Sequence, residues 1–212
     1  MDSCILICGC KKYEAYLRAA LQSMKRPGLL VVGLMGNPSL ETSAYNDQDG
    51  ILTVNVPDTY EYLPLKIWTA VEWISRTWPT ITGIFKTDDD IRVHDVDLLL
   101  ETIRQNSATP YWGFVTERVE GGVFRDHVIQ TRCCDKTIRP SFPSAHYCYG
   151  HGYWIAAASI RVLLAGRDLV QRYATSLEDV VTGHVLNQAG IYPVQIRIPY
   201  TEQARDASLL SV

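Results

Sequence analysis

Four short apolar runs recur within the first 90 residues, and each is stopped by residues that a buried strand does not pass through. They are Ser3–Cys8 before Gly9, Leu29–Leu34 before Gly36-Asn37-Pro38, Ile51–Val56 before Pro57, and Ile81–Thr87 before Asp88-Asp89-Asp90. Runs this short, apolar and rich in β-formers read as strands buried on both faces. Between the first two, Tyr13, Tyr16, Leu17, Ala20, Leu21 and Met24 recur at helical spacing up to Pro27-Gly28. Between the last two, Pro64 suits a first helical turn, and Ile67, Trp68, Val71 and Ile74 form an apolar face that ends before Pro79. Such alternation dictates an α/β layer fold, a central mostly parallel sheet flanked by helices.

The pattern continues more loosely. Ser39 to Gly50 is polar and reads as a surface loop. Asp95 is placed to cap a helix carrying Val96, Leu99, Leu100 and Ile103. Tyr111 to Val115 is strand-like, residues 116–150 are loop-rich, and Gly152 to Ala157 is a strand. A helix is expected from Ser159, another over 176–188, and a last strand within 191–198. No linker and no repeat divides the chain, so a single domain over 1–212 is expected.

Composition removes whole classes. Hydrophobic residues make up 47% of the chain, too many for disorder. The formal net charge of −3 gives no electrostatic case for binding a nucleic acid polymer. No stretch approaches the roughly 18 apolar residues of a membrane span. Of the six cysteines, Cys8-x-Cys10 and Cys133-Cys134 have the wrong spacing for zinc. Reduced buried thiols are expected, with a disulfide through Cys133 or Cys134 as the alternative.

Most of the chemistry lies in Asp88-Asp89-Asp90. Like charges about 4 Å apart repel by roughly 1 kcal/mol in water and about 4 kcal/mol near a protein surface. Such a triplet is tolerated where a cation sits or where water floods in. In an extended chain Asp88 and Asp90 point one way and Asp89 the other. Hard carboxylate oxygens at a strand end suit Mg²⁺ or Mn²⁺, which also take phosphate oxygens. Ligands of open α/β sheets bind at the carboxyl ends of the strands. The bland alternative is a solvated acidic turn.

Ser176-x-x-Asp179 reads as a capping box, with Ser176 as the cap and Asp179 near the positive end of the helix dipole. That alone explains both residues. The functional alternative makes Asp179 a general base, with its pKa lowered by the dipole, and Glu178 the fallback.

Four segments occur in a telling order: Asp58-Thr59-Tyr60-x-x-Leu63-x-Leu65-Lys66, Phe85-Lys86-Thr87-Asp88-Asp89-Asp90, Tyr149-Gly150-His151-Gly152-Tyr153-Trp154 and Glu178-Asp179-Val180-Val181-Thr182-Gly183. From about residue 50 to 192 the chain resembles the β1,3-galactosyltransferase, N-acetylglucosaminyltransferase and fringe group of glycosyltransferases. The resemblance implies a GT-A nucleotide-diphospho-sugar transferase fold, with a nucleotide-binding part at about 1–95 and an acceptor and sugar part at about 96–212. It implies a UDP-sugar donor, a glycan acceptor, Mn²⁺ (or Mg²⁺) dependence and inversion at the anomeric carbon. By the same resemblance, Asp90 is the direct metal ligand and Asp88 faces the ribose or a metal-bound water. Asp179 is the base. Cys8, Gly9, Lys66, Asp88 and Asp89 lie toward the nucleotide, and His151, Gly152, Tyr153 and Glu178 toward the sugar.

The sequence departs from the group in two ways. Its members begin with a tail, a membrane anchor and a stem, and no such segment is seen here. The expectation is a trimmed domain from the Golgi lumen, or a cytoplasmic chain from a source without Golgi anchoring such as a virus or bacterium. It would then be a monomer, or the first domain of a larger virus-encoded protein for glycan assembly. Many relatives also supply a metal-binding His near the C-terminus, whereas no His follows His184. Two other readings of the acidic triplet stand beside sugar transfer: a Mg²⁺- or Mn²⁺-dependent nucleotidyltransferase or phosphohydrolase, and an inactive UDP- or sugar-binding module. The five tryptophans read as core before stacking platforms, and Glu117 to Lys136 as either an acceptor-side flap or a surface loop.

Overall fold

The computed structural model describes residues 3–198 and 200–202. Its strands are β1 (Cys4–Cys8), β2 (Leu30–Gly36), β3 (Ala44–Asn46), β4 (Ile51–Val54), β5 (Gly83–Asp88), β6 (Ile91–Val93), β7 (Tyr111–Val115), β8 (Gly122–Val123), β9 (Ser141–Phe142), β10 (Cys148–Ala156), β11 (Val194–Gln195) and β12 (Tyr200–Glu202). Its helices are α1 (Glu14–Met24), α2 (Leu63–Thr77), α3 (Val96–Asn106), α4 (Asp126–Arg132), α5 (Ala157–Ala165), α6 (Arg167–Arg172) and α7 (Glu178–Gln188).

The main sheet has the order β11-β7-β10-β5-β1-β2-β4-β3. Strands β1, β2, β4 and β5 pair in parallel, as the apolar runs demand, and β7 with β11 run the same way. Strand β10 is antiparallel to both β5 and β7, and β3 is antiparallel to β4. Alternation along β1 sorts the core into two layers. Cys4, Leu6 and Cys8 pack with Ile67, Trp68 and Val71 of α2 and Val181 and Val185 of α7. Ile5 and Ile7 pack on the other face with Leu17 and Leu21 of α1 and Leu99 and Ile103 of α3.

Several local expectations change. Within the stretch expected to be a loop from Ser39 to Gly50, residues 44–46 add an edge strand, paired through Tyr45↔Leu52. The loop-rich stretch 116–150 holds α4 and the small β8–β9 pair, and β10 begins at Cys148 rather than Gly152. Glu61, buried at 2% exposure, accepts from the N–H groups of Cys134 and Asp135 (both 3.1 Å) and anchors this stretch to the start of α2. The strand expected within 191–198 shrinks to Val194–Gln195, and β12 follows it. Asp95 does cap α3, accepting from Leu98 N–H at 2.9 Å. Ser176 caps nothing. Helix α7 starts at Glu178 after Leu177, and Ser176 Oγ is buried without a hydrogen bond among the described residues. Trp112 and Trp154 are fully buried core residues, and all six cysteines are free thiols.

Candidate active site

The carboxyl ends of β1 and β5 meet, since Cys8 is level with Asp88. Beyond them the chain turns, and Asp89 N–H donates to Cys8 O at 3.0 Å. The turn splits the triplet as the alternation predicts. Asp89 is buried at 4% exposure, while Asp88 and Asp90 are half-buried. Gly9 permits the close packing, because a Cβ there would lie 3.1 Å from Asp89 Oδ2 and 3.0 Å from Leu17 Cβ.

Two residues before Asp88, on the face opposite Thr87, a buried ammonium organises the site. Lys86 Nζ donates to Asp88 Oδ1 (2.7 Å), Glu178 Oε1 (2.7 Å) and Gly150 O (2.8 Å), which uses all three of its protons. Burial alone would lower its pKa; the Asp88 and Glu178 carboxylates outweigh that and hold it well above the ordinary lysine range. Glu178 accepts a second bond from Tyr153 OH at 2.7 Å. Burial pushes Glu178 up to about 7, against the pull of Lys86 and with the push of Asp179.

Asp179 is held from two sides. Gly150 N–H donates to its Oδ2 (3.1 Å) and Val180 N–H to its Oδ1 (2.8 Å). Its pKa is raised by burial, with Lys86 and the two N–H groups opposing. The expected lowering by the helix dipole is therefore overridden by desolvation. Gly150 thus bridges the two charges through the peptide units on either side of it, its carbonyl on Lys86 and its N–H on Asp179. It belongs to a bulge: Cys148 pairs with Val115 and Tyr153 with Gly113, so residues 149–152 stand opposite Phe114 alone.

The other expected site residues divide. Lys66 is 2% exposed and donates to Gly9 O (2.7 Å) and Asp58 Oδ1 (2.9 Å), so its charge lies beneath the turn after β1. The Cys8 side chain packs in the core, its thiol pushed up to about 12 by burial. Of the expected sugar-side set only His151 is partly exposed. Gly152 is buried against Phe85, where a Cβ would lie 2.9 Å from Cζ. Tyr153 and Glu178 are buried and bonded to each other, so their side chains stand behind the surface of the site and support it from there.

Two participants escaped the sequence reading. Lys86 was visible only as a letter in a motif, since its partners lie 64 and 92 residues away. Tyr60 is the other. Its hydroxyl is pushed up by burial and by the Asp179 and Asp88 carboxylates, and Arg132 of α4 lies 5.5 Å above its ring.

No three His, Cys, Asp or Glu side chains are arranged as a metal cage among the described residues. The donors present at the end of β5 are two hard carboxylates, Asp88 and Asp90. As hard oxygen donors they would suit Mg²⁺ or Mn²⁺ and would not suit a soft metal.

The family profile described as Galactosyltransferase matches residues 32–197. The chain belongs to the galactosyltransferase family. Beta-1,3-galactosyltransferase 1 of Mus musculus is 27% identical over 82% of this chain and 53% of its own length. Beta-1,3-galactosyltransferase 4 of Rattus norvegicus is 32% identical over 69% of this chain and 46% of its own. The chain thus spans about half the length of the curated relatives it matches. Among solved structures, the 4-diphosphocytidyl-2C-methyl-D-erythritol synthase of Anaerococcus prevotii superposes with a TM-score of 0.52 at 10% identity, covering 99% of this chain and 92% of that one. At that identity the likeness concerns the fold alone. Asp88, Asp90, Glu178 and Asp179 lie inside the matched span. Among the described residues no helix is long and apolar enough to cross a membrane.

Proposed function

We propose that this chain carries out inverting sugar transfer, moving a hexose from a UDP-sugar to a hydroxyl of a glycan acceptor. Family membership supports transfer. The observation that carries the mechanism is the single ammonium of Lys86, which ties Asp88 directly, and Asp179 through Gly150, into one rigid unit.

In this reading Asp179 accepts the proton of the acceptor hydroxyl. The freed oxygen forms a bond to the anomeric carbon while the bond from that carbon to the diphosphate oxygen breaks, and the electron pair leaves with UDP. A single displacement inverts the configuration, as in inverting hydrolases with a sugar hydroxyl replacing water. Burial raises the Asp179 pKa, which makes it a stronger base than an exposed aspartate. Asp88 and Asp90 would hold Mn²⁺ or Mg²⁺, whose charge offsets that developing on the diphosphate. Gly9 brings the chain close to Asp89 without a side chain in the way, and Lys66 fixes the Gly9 carbonyl from below. A nucleotidyltransferase reading draws no support from the solved-structure likeness, which concerns fold alone.

Thermal melting in the presence of nucleotides tests the donor. UDP with Mn²⁺ should raise the melting temperature more than GDP or CDP with Mn²⁺, or UDP without metal. Asp90→Ala should abolish the metal-dependent part. Asp179→Asn should keep the UDP shift and lower transfer by about 10²–10⁴-fold, the usual contribution of a general base. Equal stabilisation by every nucleotide would refute the donor assignment, and full transfer by Asp179→Asn would remove it as base.

A further inference from the structure

The bulge that positions Gly150 also displays a row of aromatic rings. Tyr149 lies over His151 with centroids 5.5 Å apart and planes within 12°. Phe114 of β7 meets Tyr149 at 5.8 Å, and Tyr147 meets it at 6.1 Å. Tyr200 of β12 stands edge-on to His151 at 5.8 Å and closes the row. Phe114 and Tyr149 keep 46% and 41% of their surface exposed.

Register places this row beside the carboxylates. Tyr153 pairs with Lys86 on one side and Gly113 on the other, so Phe114 is level with Thr87, one step before Asp88. Thr87 Oγ1 donates to His151 O at 2.7 Å, fastening the bulge to β5. Tyr149 and His151 flank Gly150, whose N–H holds Asp179. The row is therefore joined to the base through Gly150, with Phe114 of β7 at one end and Tyr200, whose strand pairs with β6, at the other.

We infer that Phe114 and Tyr149 form a stacking platform for one pyranose ring of the acceptor glycan. This identification of the ligand rests on the sugar-transfer reading above. Sugars present apolar C–H faces to aromatic rings and polar edges to groups such as the His151 imidazole and the tyrosine hydroxyls, and this row offers both. Its size argues against a protein partner. Two half-exposed rings leave roughly 200 Å² open, whereas a standard protein interface buries about 800 Å² on each side. The platform is tied to the proposed base through the bulge, because Tyr149 and His151 flank the Gly150 whose N–H holds Asp179.

Saturation-transfer NMR with methyl β-glycosides of galactose, glucose and N-acetylglucosamine, with and without UDP and Mn²⁺, tests the platform. At least one glycoside should bind the wild type. Tyr149→Ala and Phe114→Ala should each weaken it about tenfold, and Tyr149→Phe, which keeps the ring, should restore it. The UDP thermal shift, read on the same samples, should be unchanged in all three variants. No binding to the wild type, or equal binding by the alanine variants, overturns the platform. Dimerisation in sedimentation velocity that Phe114→Ala abolishes overturns it in favour of a second copy. Loss of the wild-type UDP shift alone refutes the donor reading and leaves the saccharide result to be judged by itself.

Discussion

Two lysines are buried at the same edge of the sheet, and their surroundings differ in charge. Lys66 (2% side-chain exposure) faces one carboxylate, Asp58, and one carbonyl, Gly9 O. Asp58 also accepts from Gly36 N–H (2.9 Å) and Lys11 N–H (2.6 Å), so it stays well satisfied with or without the ammonium. The pair is neutral and pins three backbone segments together. Lys86 (3% exposure) faces Asp88 and Glu178, with Asp179 one peptide away. One positive charge there stands against three acids. Lys66 staples the turn after β1, whereas the Lys86 cluster keeps a surplus of negative charge, which under the proposed function a cation and a proton would neutralise.

Removing each ammonium is the most forceful way to break this contrast. Lys86→Met strands buried carboxylates, and breaking a buried ion pair costs about 3–5 kcal/mol. Lys66→Met leaves an Asp58 that retains two N–H donors, so the cost is that of a lost charged hydrogen bond, about 1–3 kcal/mol. Denaturant unfolding of the two variants measures both. Equal losses would mean that the surplus charge does not distinguish the two sites.

A smaller effect should appear in the pH dependence of stability. Glu178 has its pKa raised by burial from an ordinary 4.5 to about 7. Folding therefore favours its protonated form. That contribution is full below about 4.5 and is lost as pH rises through about 7, with Asp179, also raised by burial, adding in the same direction. The loss is on the order of 3 kcal/mol. Glu178→Gln imitates the protonated carboxyl, so its melting temperature should fall less than that of the wild type between pH 5 and 8. Parallel curves would show that Glu178 does not titrate in this window.

The same contrast shows what a sequence discloses. The staple around Lys66 was half visible, because Pro64 and the apolar face of α2 set the helix that carries it. The triplet at the end of β5 was visible because an apolar run ends in three acids. Asp179 was singled out as a candidate base, but its environment was misread. A helix start suggests a lowered pKa, and only packing shows that desolvation wins. The roles of Lys86, Gly150 and Tyr153 depend on contacts across 25 to 92 residues that join β5, β10 and the start of α7. No local period encodes such contacts. The stretch 116–147 was unreadable for a different reason: α4 has only seven residues, and it is held in part by the buried Glu61 far upstream.

The finest test uses one glycine from each region. A Cβ at Gly36 would lie 2.6 Å from Val56 O and 2.9 Å from Asp58 Cα, both backbone atoms that cannot swing away. Gly36→Ala must therefore move the Lys66 staple itself, at about 1–3 kcal/mol. A Cβ at Gly150 would meet side-chain ends, Glu178 Oε1 at 3.2 Å, Lys86 Nζ at 3.4 Å and Asp179 Oδ2 at 3.6 Å, which can yield by a few tenths of an ångström. Gly150→Ala should then cost about 1 kcal/mol or less in stability. Lys86 Nζ, however, holds Asp88, and the Gly150 N–H holds Asp179, the proposed metal-side carboxylate and base, and small misplacements of catalytic groups slow reactions out of proportion to their cost in folding. Transfer by Gly150→Ala should fall several-fold in kcat while the UDP thermal shift holds. The reverse pattern, an unstable Gly150→Ala with normal turnover, would show that the bulge serves the fold and not the chemistry.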